Sequence, residues 1–193
     1  MQRWLIGMAC VLALSACNGG GSAPPVAGAQ AAAAATSSST ASADPTAMAR
    51  YDGYGKLRFG MDEVTFGRVW SGKLQGQLDP GSSCYYVTPE GVKAQTDFAF
   101  MFEGGHFVRY DVGTTKETAP GGGQVGMSKA QILALYGARV EQQPHKYESG
   151  AAYLRVPAPQ GKGVLLFETN ADGKVTRWRA GVSPQVDYVE GCS

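Results

Sequence analysis

Glu103 and Glu168 end two similar stretches, Phe100-Met101-Phe102-Glu103 and Leu165-Leu166-Phe167-Glu168. Paired carboxylates flanking a glycosidic bond act as general acid and general base. A repeated hairpin also places like residues at like ends, and Arg109 and Arg177 nearby can offset the two charges across strands. Charge pairing is the simpler account. Only two histidines are present, His106 in a Gly-Gly-His turn and His145 after Pro144, and neither has the spacing of a metal ligand. No serine sits in a Gly-x-Ser-x-Gly setting, and no nucleophile, base and acid are brought together by spacing. Asn170-Ala171-Asp172-Gly173 shares part of a calcium loop, but the other acidic ligands are missing and the segment reads as a turn. Pro120-Gly121-Gly122-Gly123 lacks the Lys-Ser/Thr of a phosphate loop and reads as a linker. The sequence thus predicts a non-enzymatic protein with no catalytic residues, no metal and no small-molecule cofactor.

Cysteine chemistry is more informative. Leu14-Ser15-Ala16-Cys17 has the order of a bacterial lipobox, where a peptidase cuts before a cysteine that carries lipid. It closes an apolar stretch that runs from Trp4 after a single Arg3. That stretch is shorter than the roughly 20 apolar residues of a spanning helix, and residues 1–16 read as a removed signal peptide. Resemblance to bacterial lipoproteins implies a diacylglyceryl thioether and an N-acyl chain, such as palmitate, on Cys17. Several acyl chains bind a membrane far more firmly than one. Residue 18 is Asn, not Asp, so the enterobacterial inner-membrane retention signal is missing. The expected location is the outer membrane, lipid-anchored and facing the periplasm.

Of the four cysteines, Cys10 leaves with the signal and Cys17 takes lipid, so Cys84 and Cys192 remain in an oxidising compartment. They are expected to form a disulfide, which would close a loop long enough for a chain-entropy gain of about 4–5 kcal/mol.

Residues 17–49 run through Gly, Ala, Ser, Thr and Pro with almost no charge and no large apolar side chain. Nothing there offsets the entropy of ordering, and a disordered tether some 30 Å from end to end is expected. Residues 50–193 are one globular domain in size and hold nearly all the aromatics. With a net charge of +1 and no basic stripe, nucleic-acid binding has no electrostatic support.

Within the domain the chain repeats itself. Phe59-Gly60-Met61-Asp62-Glu63-Val64-Thr65-Phe66-Gly67-Arg68-Val69-Trp70 aligns with Val125-Gly126-Met127-Ser128-Lys129-Ala130-Gln131-Ile132-Leu133-Ala134-Leu135-Tyr136. Asp62 and Ser128 fall where helix N-caps belong, and Ser128 with Gln131 makes a capping box. The helices are expected to bury Val64, Phe66, Val69 and Trp70, and Ala130, Ile132, Leu133, Leu135 and Tyr136. They should end at Gly72 and Gly137. Three strands follow each, from Cys84-Tyr85-Tyr86-Val87 and Ala152-Tyr153-Leu154-Arg155 onward. The predicted fold is α+β: two tandem helix-plus-three-strand repeats, 50–119 and 120–193, forming an antiparallel sheet with helices on one face.

Turn length decides which side chains share a face, because a one-residue slip inverts a strand. A three-residue loop through Gly104 and Gly105 pairs Phe100 with Val108, and a four-residue loop at Asn170 pairs Leu165 with Trp178. The helix side then holds Phe98, Phe100, Phe102, Val108, Tyr110, Leu165, Phe167 and Trp178. The open side carries Met101, Glu103, Phe107, Arg109, Asp111, Leu166, Glu168, Arg177 and Arg179. Arg, Met and aromatic residues are enriched in binding cores, so Met101, Phe107, Arg109, Arg177 and Arg179 are the candidate partner-binding set.

The two Gly-Met motifs, each leading into an amphipathic helix that ends near glycine, resemble those of the beta-lactamase inhibitory protein family. They also resemble the outer-membrane-assembly lipoproteins called SmpA/OmlA. The likeness runs from about Lys56 to Gly181; the tandem copy resembles the first family, the lipobox and tether the second. One cysteine per half, instead of a disulfide within each, departs from the inhibitor pattern. The resemblance implies a two-unit sheet whose face and loops bind another protein. The expected function is therefore an anchored lipoprotein that binds an envelope or periplasmic protein, as an inhibitor of a hydrolase or as an assembly accessory. A glycan or peptidoglycan binder stacking sugars on Tyr85, Tyr147 or Trp70 is the alternative.

Overall fold

Gly60 and Gly126 explain the two Gly-Met motifs. Each takes a left-handed backbone, with φ of 88° and 90°, a conformation side chains disfavour. Each turn then docks on a strand: the Gly60 N–H donates to Phe107 O and the Phe107 N–H to Met61 O. In the same way the Gly126 N–H donates to Val175 O and the Val175 N–H to Met127 O. A helix starts directly after. Asp62 caps α1 (Glu63–Val69), accepting from the Thr65 N–H at 2.9 Å. Ser128 caps α2 (Lys129–Tyr136), and the Ser128 N–H donates to Gln131 Oε1 at 2.9 Å to complete the capping box.

The structure is a computed structural model that describes residues 48–76 and 83–193. The expected signal peptide, Cys17 and residues 17–47 of the tether lie outside the described residues.

Two turns of helix touch the sheet along a narrow line, so the expected apolar stripes are mostly unburied. In α1 only Phe66 is buried, and Val64 is 62 % exposed. In α2 only Ile132 and Tyr136 are buried, one turn apart on one face, while Leu135 is 46 % exposed. Helix α2 ends at Gly137 (φ 59°) as expected. Helix α1 stops earlier, at Val69, with Trp70 as its C-cap rather than a glycine. Gly72 serves the indole instead, since a Cβ there would stand 3.0 Å from Trp70 Nε1.

The strands are β1 (Ala49–Arg50), β2 (Gly53–Tyr54), β3 (Leu57–Arg58), β4 (Leu74–Gln75), β5 (Cys84–Pro89), β6 (Phe98–Glu103), β7 (His106–Val112), β8 (Glu141–Pro144), β9 (Ala152–Pro157), β10 (Gly163–Thr169) and β11 (Val175–Val182). The first three form a small antiparallel meander. The others form an eight-stranded antiparallel sheet in the order β4-β5-β6-β7-β11-β10-β9-β8. The fold is α+β and mostly antiparallel sheet.

The meander was not legible in the sequence. It begins inside the expected tether, at Ala49, and buries Ala49, Tyr54 and Leu57 in the main core. It lies so close to β10 that a Cβ on Gly163 would stand 1.8 Å from Tyr51 O. Gly163→Ala is therefore expected to destabilise the domain by about 2–3 kcal/mol, the upper range for overpacking, in urea unfolding followed by circular dichroism. An unchanged midpoint would mean the meander is not seated on β10.

The core lies between the sheet, the helices and the meander. Phe98, Phe100, Phe102, Tyr110, Leu165, Phe167 and Trp178 all enter it from the expected face. The registers differ in detail. Gly104 and Gly105 (φ 57° and 76°) make a two-residue turn with Glu103 opposite His106, not the expected three-residue loop. A bulge at Val108 then restores the alternation, so Phe100 still faces Tyr110, whereas Phe107 turns inward. In the second hairpin Phe167, not Leu165, is opposite Trp178. That slip is two residues and leaves every face unchanged.

Candidate functional site

The sheet face away from the helices carries Met101, Arg109, Asp111, Leu166, Glu168, Arg177 and Arg179 at alternating positions of β6, β7, β10 and β11. It is not open. After β11 the chain turns at Pro184, forms a 3-10 turn over Gln185–Asp187 and runs on to Cys192, which is bonded to Cys84 with Cα atoms 5.3 Å apart. Val186, fully buried, packs with Tyr153, Val164 and Leu166 in a second apolar cluster.

Two buried guanidiniums hold this strap by its main chain. Arg109 Nη1 donates to Gln185 O at 2.9 Å and to Tyr188 O at 2.8 Å, and its Nε and Nη2 donate to Asp111. Arg179 Nε donates to Val186 O at 2.7 Å and Nη1 to Glu168 Oε2 at 3.3 Å. Their electrostatics differ. Burial opposes the charge on Arg109, but the charge and hydrogen bonds of Asp111 outweigh it and the pKa is raised. For Arg179, burial and then the neighbouring Arg109 dominate and the pKa is lowered. Its Nη2 has no hydrogen-bond partner among the described residues.

Glu168 is the hub of the cluster. Arg177 Nη2 lies 3.2 Å from Oε1, and His145 Nε2 lies 3.1 Å from the same oxygen. His145 Nδ1 accepts from the N–H groups of Tyr147 and Glu148 at 3.1 and 3.0 Å. Those two donors place the ring proton on Nε2, which donates to Glu168. Both ring nitrogens are occupied, and the ring stacks on Tyr153 with centroids 4.7 Å apart. Glu103 is not paired with Arg109; it accepts from Gln185 Nε2.

The expected set is thus placed differently from its prediction. Met101, Arg109 and Arg179 are on the predicted face but buried beneath the strap or within the sheet. Phe107 is on the other face, packed against Phe59, Phe66 and Phe100 because of the two-residue turn and bulge. Only Arg177 is accessible, with 52 % of its side chain exposed. Of the aromatic platforms, Tyr85 is buried and stacked on Phe102, Trp70 is half-buried, and Tyr147 is 63 % exposed. Sequence reasoning missed Gln185, Val186, Tyr188 and Glu190. One signal for them was present: a Cys84–Cys192 bridge obliges the chain after β11 to return across the sheet.

Two clefts border the strap. The larger, about 460 Å³, is lined by Cys84, Cys192, Glu103, Lys146 and the tail. The smaller, about 160 Å³, lies between Tyr86, Thr96, Arg109, Asp111, Arg177 and the tail. Among the described residues no group of three or more His, Cys, Asp and Glu side chains is placed to hold a metal ion. No helix among them is long and apolar enough to cross a membrane.

No protein-family profile matches the chain, and no curated protein matches it. Two solved structures are similar at low level. One is an extracellular protein containing a SCP domain from Bacillus anthracis, at 8 % identity and a TM-score of 0.43, covering 64 % of this chain. This chain spans 44 % of that protein's length. The other is the uncharacterized protein yfeY from Escherichia coli, at 14 % identity and a TM-score of 0.38, covering 69 % of this chain and 98 % of that one.

Proposed function

We propose that this chain is a lipoprotein anchored in the outer membrane through Cys17, carrying on a tether a non-enzymatic periplasmic domain that binds another protein, as an inhibitor of a hydrolase does. The carrying observation is that the polar sheet face already receives a peptide: Arg109 and Arg179 take three main-chain carbonyls of the strap. A surface that holds one segment by its backbone suits partner recognition better than bond cleavage. The occupied nitrogens of His145 point the same way, since they leave no free base beside Glu168. The disulfide fits an oxidising compartment. The matching Gly60 and Gly126 docking geometries support reading the domain as a duplicated helix-plus-strands unit, as in the inhibitor family that the motifs resemble. Tethering raises the effective concentration near the membrane, so a modest affinity suffices. Exposed Tyr147 favours the glycan-binding alternative.

The test immobilises the oxidised chain from residue 46 onward by an N-terminal tag and passes envelope extract over it. Arg177→Glu and Tyr147→Ala serve as controls. One protein retained by the parent and lost by Arg177→Glu is expected. Retention of peptidoglycan alone, abolished by Tyr147→Ala, would replace the protein-binding reading with the glycan one.

A further inference from the structure

The strap is held unevenly along its length. From Gln185 to Tyr188 it is fixed by buried guanidiniums and by Val186. Beyond Val189 the fastening changes character. Glu190 meets Lys146 Nζ at 2.8 Å, but both side chains are more than half exposed, and such ion pairs hold little in water. Its other contact is the hydroxyl of exposed Tyr147. The Gly191 N–H reaches Tyr188 O only at 3.4 Å, and Ser193 Oγ bonds back to Glu190 O within the tail itself. What keeps the end down is the covalent bond to Cys84. That bond lines the open 460 Å³ cleft, and both cysteines are partly exposed, so a thiol can reach it.

The covered surface is specific. Gly191 sits so close to Tyr86 that a Cβ would stand 2.7 Å from the phenol oxygen. Val189, Glu190 and Gly191 wall the smaller cleft against Tyr86, Arg109, Asp111 and Arg177. Burial pushes the Tyr86 hydroxyl up to about 12.

We propose that Glu190–Ser193 is a redox-released latch: reduction of Cys84–Cys192 by a dithiol lets the tail lift and uncovers Tyr86 and Asp111 between exposed Arg177 and the sheet's buried arginines. In the exchange, one thiolate of the dithiol attacks a cystine sulfur, and the resulting mixed disulfide is resolved by its second thiol. Two electrons pass to the cystine, Cys84 and Cys192 each end as a thiol with one proton, and the reductant ends as a disulfide. The inference stands whether or not the exposed surface binds a protein.

Hydrogen exchange on the whole chain in detergent, oxidised and in dithiothreitol, tests this, together with a Cys84→Ser/Cys192→Ser variant measured without reductant. Peptides over 189–193 and the 145–148 loop, to which Glu190 is tied, are expected to exchange about tenfold faster in the reduced protein and in the variant. Peptides over β9, β10 and β11 should still exchange far more slowly than the tail, although loss of the cross-link lowers the global stability that limits them. Unchanged exchange at 189–193 would overturn the latch, because the tail would then be held without the bond. Exchange of β9 to β11 as fast as that of 189–193 would also overturn it, because the bond would then be a staple of the whole fold and not of the tail.

Discussion

Trp178→Ala is expected to remove about 3–5 kcal/mol of stability, the range for deleting a large buried aromatic. Ordinary domains have about 5–15 kcal/mol in all, so the variant should be partly unfolded at growth temperature. Trp178 has no exposed surface and sits on β11 next to β7, edge-on to Tyr110 with centroids 5.7 Å apart. The cavity would lie where the two halves of the sheet meet, walled by strands that cannot close in. Trp178→Phe should cost much less, because the indole N–H has no acceptor among the described residues and phenylalanine deletes that orphan with the lost volume. Urea midpoints for the two variants check this. Equal losses would show that the cost does not follow the volume removed.

Arg179→Met should cost about 3 kcal/mol, near the lower end for breaking a buried ion pair. Three consequences combine: Val186 O loses its donor, Glu168 loses one of three partners, and the strap loses its central anchor. The figure stays low for two reasons. Arg177 and His145 still face Glu168, and the replaced charge was itself disfavoured by burial and by Arg109. Arg109→Met should be worse, because it strands Asp111 and two carbonyls at once. Urea unfolding ranks them, and hydrogen exchange at Gln185–Tyr188 should rise in both. If Arg179→Met were neutral, the Arg179–Glu168 pair would be replaceable by packing.

The sequence revealed those elements whose signals are local. Asp62, Ser128 and Gln131 marked the helix starts because capping needs only neighbouring residues. Alternation placed seven of eight core side chains correctly even where the pairing partner was off by two, since face depends on parity alone. The failures are non-local. Phe107 was misplaced because a turn one residue shorter was absorbed by a bulge at Val108, which alternation does not announce. The open face was misread because what covers it arrives from the end of the chain, and its anchors are main-chain carbonyls that no side-chain pattern encodes. The meander hid in strands of two residues, too short for any period.

The seam between β7 and β11 governs the order in which the protein is completed. Arg109 to Val112 pair with Trp178 to Gly181, so the middle of the sheet is closed only when β11, the last of its strands in chain order, is in place. While the chain is being synthesised, residues up to about Gln160 leave the β7 edge unpaired, with Tyr110 and Val112 uncovered. Such edges invite pairing between chains. Contacts of this sequence separation also form slowly, because the loop must be closed before they repay it. Until β11 is in place, β4 to β7 form only a half-sheet, and its uncovered edge is the liability that this long-range pairing removes.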